Sequence, residues 1–64
     1  MDIHIEESFD KAINSLSEIK DFLEKLYTDQ DVNVFFQKPL ISMLITACEY
    51  LQTNLSNIKI TLDR

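Results

Sequence analysis

At about 100° per residue, the run from Ser8 to Thr28 has two distinct sides. Phe9, Ala12, Ile13, Leu16, Ile19, Phe22, Leu23, Leu26 and Tyr27 occupy one half of the circumference. Asp10, Asn14, Ser17, Glu18, Asp21, Glu24 and Lys25 occupy the other. The pattern predicts an amphipathic helix with Ser8 as N-cap and Asp10 in the first turn, where the helix dipole favours an acid. The apolar set also repeats every seven residues, as Phe9, Leu16 and Leu23 and again as Ala12, Ile19 and Leu26. Asp21 and Lys25 have the spacing of a surface ion pair.

A second helix is predicted from Pro39 to Asn57. Proline suits position N1, where its missing N–H costs nothing, and the residue before a proline avoids the α region, so Lys38 marks the boundary. The expected core positions are Leu40, Leu44, Ala47, Leu51 and Ile58, widened by Ile41, Ile45, Cys48 and Leu55. Met43 and Tyr50 lie on the other flank, and only Ser42, Thr46, Glu49, Thr53 and Ser56 form a polar strip. Between the helices, Asp29, Asp31 and Asn33 supply turn chemistry before Val34, Phe35 and Phe36 bring in apolar bulk.

The two ends alternate with period two. Ile3 and Ile5 interleave with Asp2, His4 and Glu6, and Ile58, Ile60 and Leu62 with Lys59, Thr61 and Asp63. Residues 1–7 and 58–64 are therefore expected to be short extended arms. A β-α-β-α-β order is less economical. A helix of about 20 residues spans about 30 Å and a five-residue strand roughly 17 Å, and the chain leaves almost no loop to absorb the mismatch. The expected fold is all-α: a single domain formed by an antiparallel two-helix hairpin over about 8–28 and 39–57.

Length sharpens this picture. A chain of 64 residues buries only about 60% of the surface its unfolded form exposes, and such chains lean on disulfides, metals or oligomerisation. With one cysteine there is no internal disulfide, and His4 and Cys48 alone do not make a four-ligand zinc site. The chain has no glycine, so it holds no phosphate-binding loop and no dinucleotide fingerprint. One His, one Cys and scattered carboxylates do not form a nucleophile–base set, so no catalytic residue, metal or cofactor is expected. Pro39–Ile58 has the length of a membrane span, but its polar load argues against insertion. No basic and apolar leader is visible at the start, and a single unpaired cysteine fits a reducing cytoplasm.

Net charge is −5 and uneven. Residues 1–31 carry nine acids against three lysines, whereas residues 32–64 carry Glu49 and Asp63 against Lys38, Lys59 and Arg64. Direct nucleic-acid binding needs a basic stripe, which is missing. Asp10, Glu18, Asp21 and Glu24 read as a solvated face diluted by Lys11, Lys20 and Lys25. Glu49 is expected to face water, His4 to sit on the surface and Cys48 to act as a small buried hydrophobe.

A helix packed on one neighbour needs an apolar stripe a little over 100° wide, and both helices exceed it. The surplus predicts an interface, most economically a two-fold homodimer that forms a four-helix bundle. The residues expected at interfaces are Phe9, Ile13, Leu16, Phe22, Leu23 and Tyr27 of the first helix and Phe35 and Phe36 of the connection. The second helix adds Leu40, Ile41, Leu44, Ile45, Tyr50, Leu51 and Leu55. Phe35 and Phe36 read first as a plug over the end of the bundle and second as a binding hot spot. Function follows as a small acidic protein–protein interaction module, a regulator, adaptor or inhibitor. The alternatives are an acidic decoy that imitates nucleic acid, and a structural or chaperone-like subunit of a hetero-complex.

Overall fold

The computed structural model describes residues 1–63, which form two long helices, α1 (Ile3–Tyr27) and α2 (Gln37–Leu62), packed side by side and antiparallel. Among the described residues there is no strand. The hairpin measures 46 × 15 × 10 Å. No helix is long and apolar enough to cross a membrane.

The helices run through most of both expected arms instead, over Ile3–Glu7 and Ile58–Leu62, and Arg64 of the second arm lies outside the described residues. Asp2, rather than Ser8, starts α1: its Oδ1 accepts the His4 N–H at 2.7 Å and its carbonyl accepts the Glu6 N–H at 3.0 Å. Ser8 lies within the helix and its hydroxyl donates to the His4 carbonyl at 2.8 Å. At the other end, α2 runs on to Leu62, and Thr61 folds its hydroxyl back onto the Ile58 carbonyl at 2.8 Å. Extending an existing helix adds one hydrogen bond per residue fixed, with no new nucleation cost. An isolated arm would have no strand partner, so the short period-two alternation loses.

The connection is built on Asp29 and Asn33. Asp29 Oδ1 accepts the Asp31 N–H at 2.8 Å. Asn33 Oδ1 accepts the N–H groups of Phe35 and Phe36 at 2.9 and 3.0 Å, and its carbonyl accepts those of Gln37 and Lys38, both at 3.0 Å. Gln37 Oε1 answers by accepting the Asn33 N–H at 2.7 Å. This reciprocal arrangement works like a capping box and starts the helical path ahead of the proline. Pro39 is thus the third residue of α2, not the first, and the boundary lies at Phe36 rather than Lys38. The first turn still accommodates proline, because its N–H groups have no partner within the helix. No described residue has positive φ, so every turn is made without the conformation that glycine favours.

The core is small. Only Leu23, Ile41 and Cys48 are buried among the described residues, with Leu16, Leu26, Val32 and Ile45 packed against them. The α2 stripe turned towards α1 is Ile41, Ile45, Cys48, Gln52 and Leu55. The stripe expected to form the core, Leu40, Leu44, Ala47, Leu51 and Ile58, is exposed. Polar contacts between the helices accompany this rotation. Lys20 pairs with Glu49 at 3.6 Å, Lys59 donates to Asp10 at 2.8 Å, and the Gln52 amide donates to the Ile13 carbonyl at 3.2 Å. Glu49 therefore does not simply face water. The intrahelical pair that forms on α1 is Lys20–Glu24 at 3.9 Å, in place of Asp21–Lys25.

Candidate functional site

The two broad sides of the hairpin differ in chemistry. On one, the Lys20–Glu49 and Lys59–Asp10 pairs and the Gln52–Ile13 hydrogen bond bridge the helices. On the other, the helices share two apolar hollows. One is lined by Ile5, Ser8, Phe9, Ala12 and Leu55, and the other by Leu26, Val32, Gln37, Leu40 and Ile41. At about 100° per residue, both hollows lie on the opposite side of the helix–helix seam from the ion pairs.

The same wheel places a second seam on each helix along this apolar side. On α1 it reads Ser8, Ala12, Ser15, Ile19, Phe22, Leu26, and on α2 it reads Leu40, Leu44, Ala47, Leu51, Asn54, Ile58. Both follow the alternating four-and-three spacing of helices that pack lengthwise on a neighbour. Ile19, Phe22, Leu40, Leu44, Leu51 and Ile58 are all exposed. The two seams lie side by side as a largely apolar face that runs about 27 Å along each helix, at about 1.5 Å per residue. It far exceeds the scattered single hydrophobes normal on a soluble surface.

The residues expected at interfaces divide accordingly. Phe9, Ile13, Leu16, Leu23, Ile41, Ile45 and Leu55 are buried or half-buried within the hairpin. Phe22, Leu40, Leu44 and Leu51 are exposed on the outer apolar face. Tyr50 stands with Met43 beside a shallow hollow on the outer edge of α2. Tyr27 lies at the loop end, where the Lys38 ammonium sits 5.0 Å from its ring centre. Phe35 and Phe36 are 83% and 73% exposed, so in the single hairpin they plug nothing. The inward and outward seams together span the apolar half of α1. Reading that half as one stripe hid the division between them, and its signal was the small set Ser8, Ala12 and Ser15 recurring at the outward spacing.

On the polar side of the seam, Lys20 pairs with Glu49 and Lys59 with Asp10. The Lys59 pKa is raised above its ordinary 10.5, first by the hydrogen bond to Asp10 and also by the charges of Asp10, Glu6 and Asp63, against some desolvation. Cys48 is a free, buried thiol. Among the described residues, no group of three His, Cys, Asp or Glu side chains gathers to hold a metal. Comparison with protein-family models, with curated proteins and with solved structures finds no match to this chain.

Proposed function

We propose that this chain is a small acidic protein–protein interaction module that dimerises through its outer apolar face into a four-helix bundle and, in that form, engages another protein. It acts by binding rather than catalysis, in a reducing compartment where its one thiol stays free. The observation that carries the reading is the mismatch between core and face. Three buried residues are a slight core for two helices of 25 and 26 residues, while the most regular apolar seam of α2 points outward. Such helices draw most of their stability from tertiary packing, so the missing burial must come from another surface.

A second copy could supply that surface, because a two-fold interface pairs one apolar face with itself. The Phe35–Phe36 tip and the Met43–Tyr50 edge lie outside the two seams and remain for a further protein, since aromatic residues dominate binding hot spots. The pairing of Lys20 and Lys59 with acids breaks up any phosphate-like row, which disfavours the decoy reading. The slight core also favours a second reading, a subunit that folds only inside a hetero-complex.

Sedimentation equilibrium over a wide concentration range, at low and high salt, tests the proposal. Self-association that survives high salt supports burial of apolar surface, because screening weakens only exposed charge interactions. A chain that stays unfolded at every concentration points to the hetero-complex subunit. A folded monomer whose apolar face binds no protein refutes the proposal.

A further inference from the structure

The connection between the helices has no backbone feature that commits the chain to a reversal. It holds no glycine and no residue with positive φ, and the caps that bound it, Thr28 and Phe36, are both in the α region. None of its residues has to leave the left-handed region for a helix to form. Side-chain chemistry holds it bent. The Asn33 carboxamide takes the N–H groups of Phe35 and Phe36, which a continuous helix would give to the carbonyls of Asp31 and Val32. Pro39 has no N–H to offer the Phe35 carbonyl, and inside a helix its ring would clash with that carbonyl.

The phase of the two helices is an independent observation. Continued through the connection at about 100° per residue, the inward stripes of α1 (Phe9 to Leu23) and α2 (Ile41 to Leu55) centre within roughly 40° of each other. A stripe that serves one neighbour is over 100° wide, so the two act as one. The buried Leu23 and Ile41 are 18 residues apart, or about five whole turns. Val34, exposed in the hairpin, falls on the same line between them, whereas Phe35 and Phe36 fall off it.

We infer that the connection is a hinge held closed by Pro39 and Asn33, and that its open state is a helix-exchanged pair. In that state each chain runs as one helix, and α1 of each copy packs on α2 of the other. Exchange of an identical element is a low-cost route to a dimer, because each contact of the closed form is remade between chains. The Leu23–Ile41–Cys48 cluster and the Lys20–Glu49, Gln52–Ile13 and Lys59–Asp10 contacts are all kept. These pairings put the two-fold axis near Val34, which then faces its counterpart in the second copy. Gln30 comes opposite Lys38 and Asp31 opposite Gln37, so no like charges are set together.

Opening adds helix through the connection and covers Val34. Pro39 opposes it in both chains, and of all residue types proline is the most unfavourable inside a helix. The inference stands apart from the bundle formed through the outer face, which leaves α1 and α2 of each chain on one another.

Cross-linking tests the hinge. Lys20→Cys and Glu49→Cys in a Cys48→Ala background replace a surface ion pair, whose loss costs little, and a short bis-maleimide joins them. In the closed form the bridge lies within one chain, and the product runs as a single chain on a denaturing gel. With Asn33→Ala and Pro39→Ala added, most of the product is expected to be two chains joined. Small-angle scattering should show the longest dimension rising from the 46 Å of the hairpin to about 90 Å, the length of a helix from Ile3 to Leu62. Bridges that stay within one chain overturn the hinge, and so does a variant that loses its helical circular dichroism.

Pro39→Ala alone keeps the Asn33 cap and is expected to give both products, with the two-chain share rising with protein concentration. A share that does not change with concentration refutes the exchange. Failure of the interaction-module reading shows elsewhere, as a parent chain that sediments as a folded monomer and binds no protein.

Discussion

Replacing Leu51 by aspartate separates a hairpin that lives alone from one that is half of a bundle. In the hairpin the Leu51 side chain is 48% exposed. Aspartate there would reach water, and the intrahelical and interhelical contacts of α2 would survive. In the bundle the same position lies within the paired seam and is covered. Full burial of a leucine contributes ~1.5–3 kcal/mol, so covering the remaining half is worth ~1 kcal/mol per copy. Each unpartnered carboxylate left in the interface costs a further ~3 kcal/mol or more. Two copies bring the penalty to roughly 8 kcal/mol, and at about 1.4 kcal/mol per decade the dissociation constant rises by roughly five to six orders of magnitude. Sedimentation equilibrium reads this directly. Thermal unfolding followed by circular dichroism should lose its concentration dependence at the same time, since the stability of an obligate dimer depends on protomer concentration. Thr53→Asp, on the polar strip, makes the same change in charge and is expected to leave association unchanged. If Leu51→Asp associates like the parent chain, the outward seam is not buried and the bundle is wrong.

Other perturbations probe separate parts of the molecule. Leu16→Asp places a carboxylate against the Leu23–Ile41–Cys48 cluster and should cost at least ~3 kcal/mol, unfolding the chain at any concentration accessible to circular dichroism. Asn33→Ala removes the acceptor of two N–H groups at the entry to α2 and should cost ~1 kcal/mol in chemical denaturation. The folded pKa of Lys59 lies above the unfolded one, so its contribution is complete below pH 10.5 and is lost as pH rises through the raised folded value. Melting temperatures measured from pH 9 to about 12 should therefore fall more steeply in the parent than in Lys59→Gln, and parallel curves would show that the Asp10 pair adds nothing. Phe35→Ser with Phe36→Ser should leave the melting temperature unchanged, because both rings face water, while weakening binding of a second protein. A clear drop in melting temperature would instead show that the rings plug the assembled bundle.

Much of this architecture is legible in the amino-acid order. The 3.6-residue period of Phe9–Tyr27, the absence of glycine and the turn residues Asp29 and Asn33 are enough for two long helices and one reversal. These are local properties, each settled within a few residues by backbone hydrogen bonding and side-chain spacing. The helix limits were not legible. Ile3 and Ile5 alternate with polar residues over too short a run to separate strand from helix, and the Asp2 cap together with continuation of an existing helix decided it.

The rotation of α2 was hidden for a different reason. Its surface carries two apolar stripes side by side, and periodicity alone cannot rank Leu40, Leu44, Ala47 and Leu51 against Ile41, Ile45 and Cys48. Contacts between residues far apart in the chain accompany the choice: the Leu23, Ile41 and Cys48 core, with Lys20–Glu49, Gln52–Ile13 and Lys59–Asp10 beside it. The stripe containing Gln52 faces inward, where its amide finds a carbonyl, and the leucine-rich stripe faces out. The sequence by itself determined that this chain has more apolar surface than one hairpin can bury. Only the tertiary structure decided which surface is left over, because that depends on partners that meet only once the chain has folded back on itself.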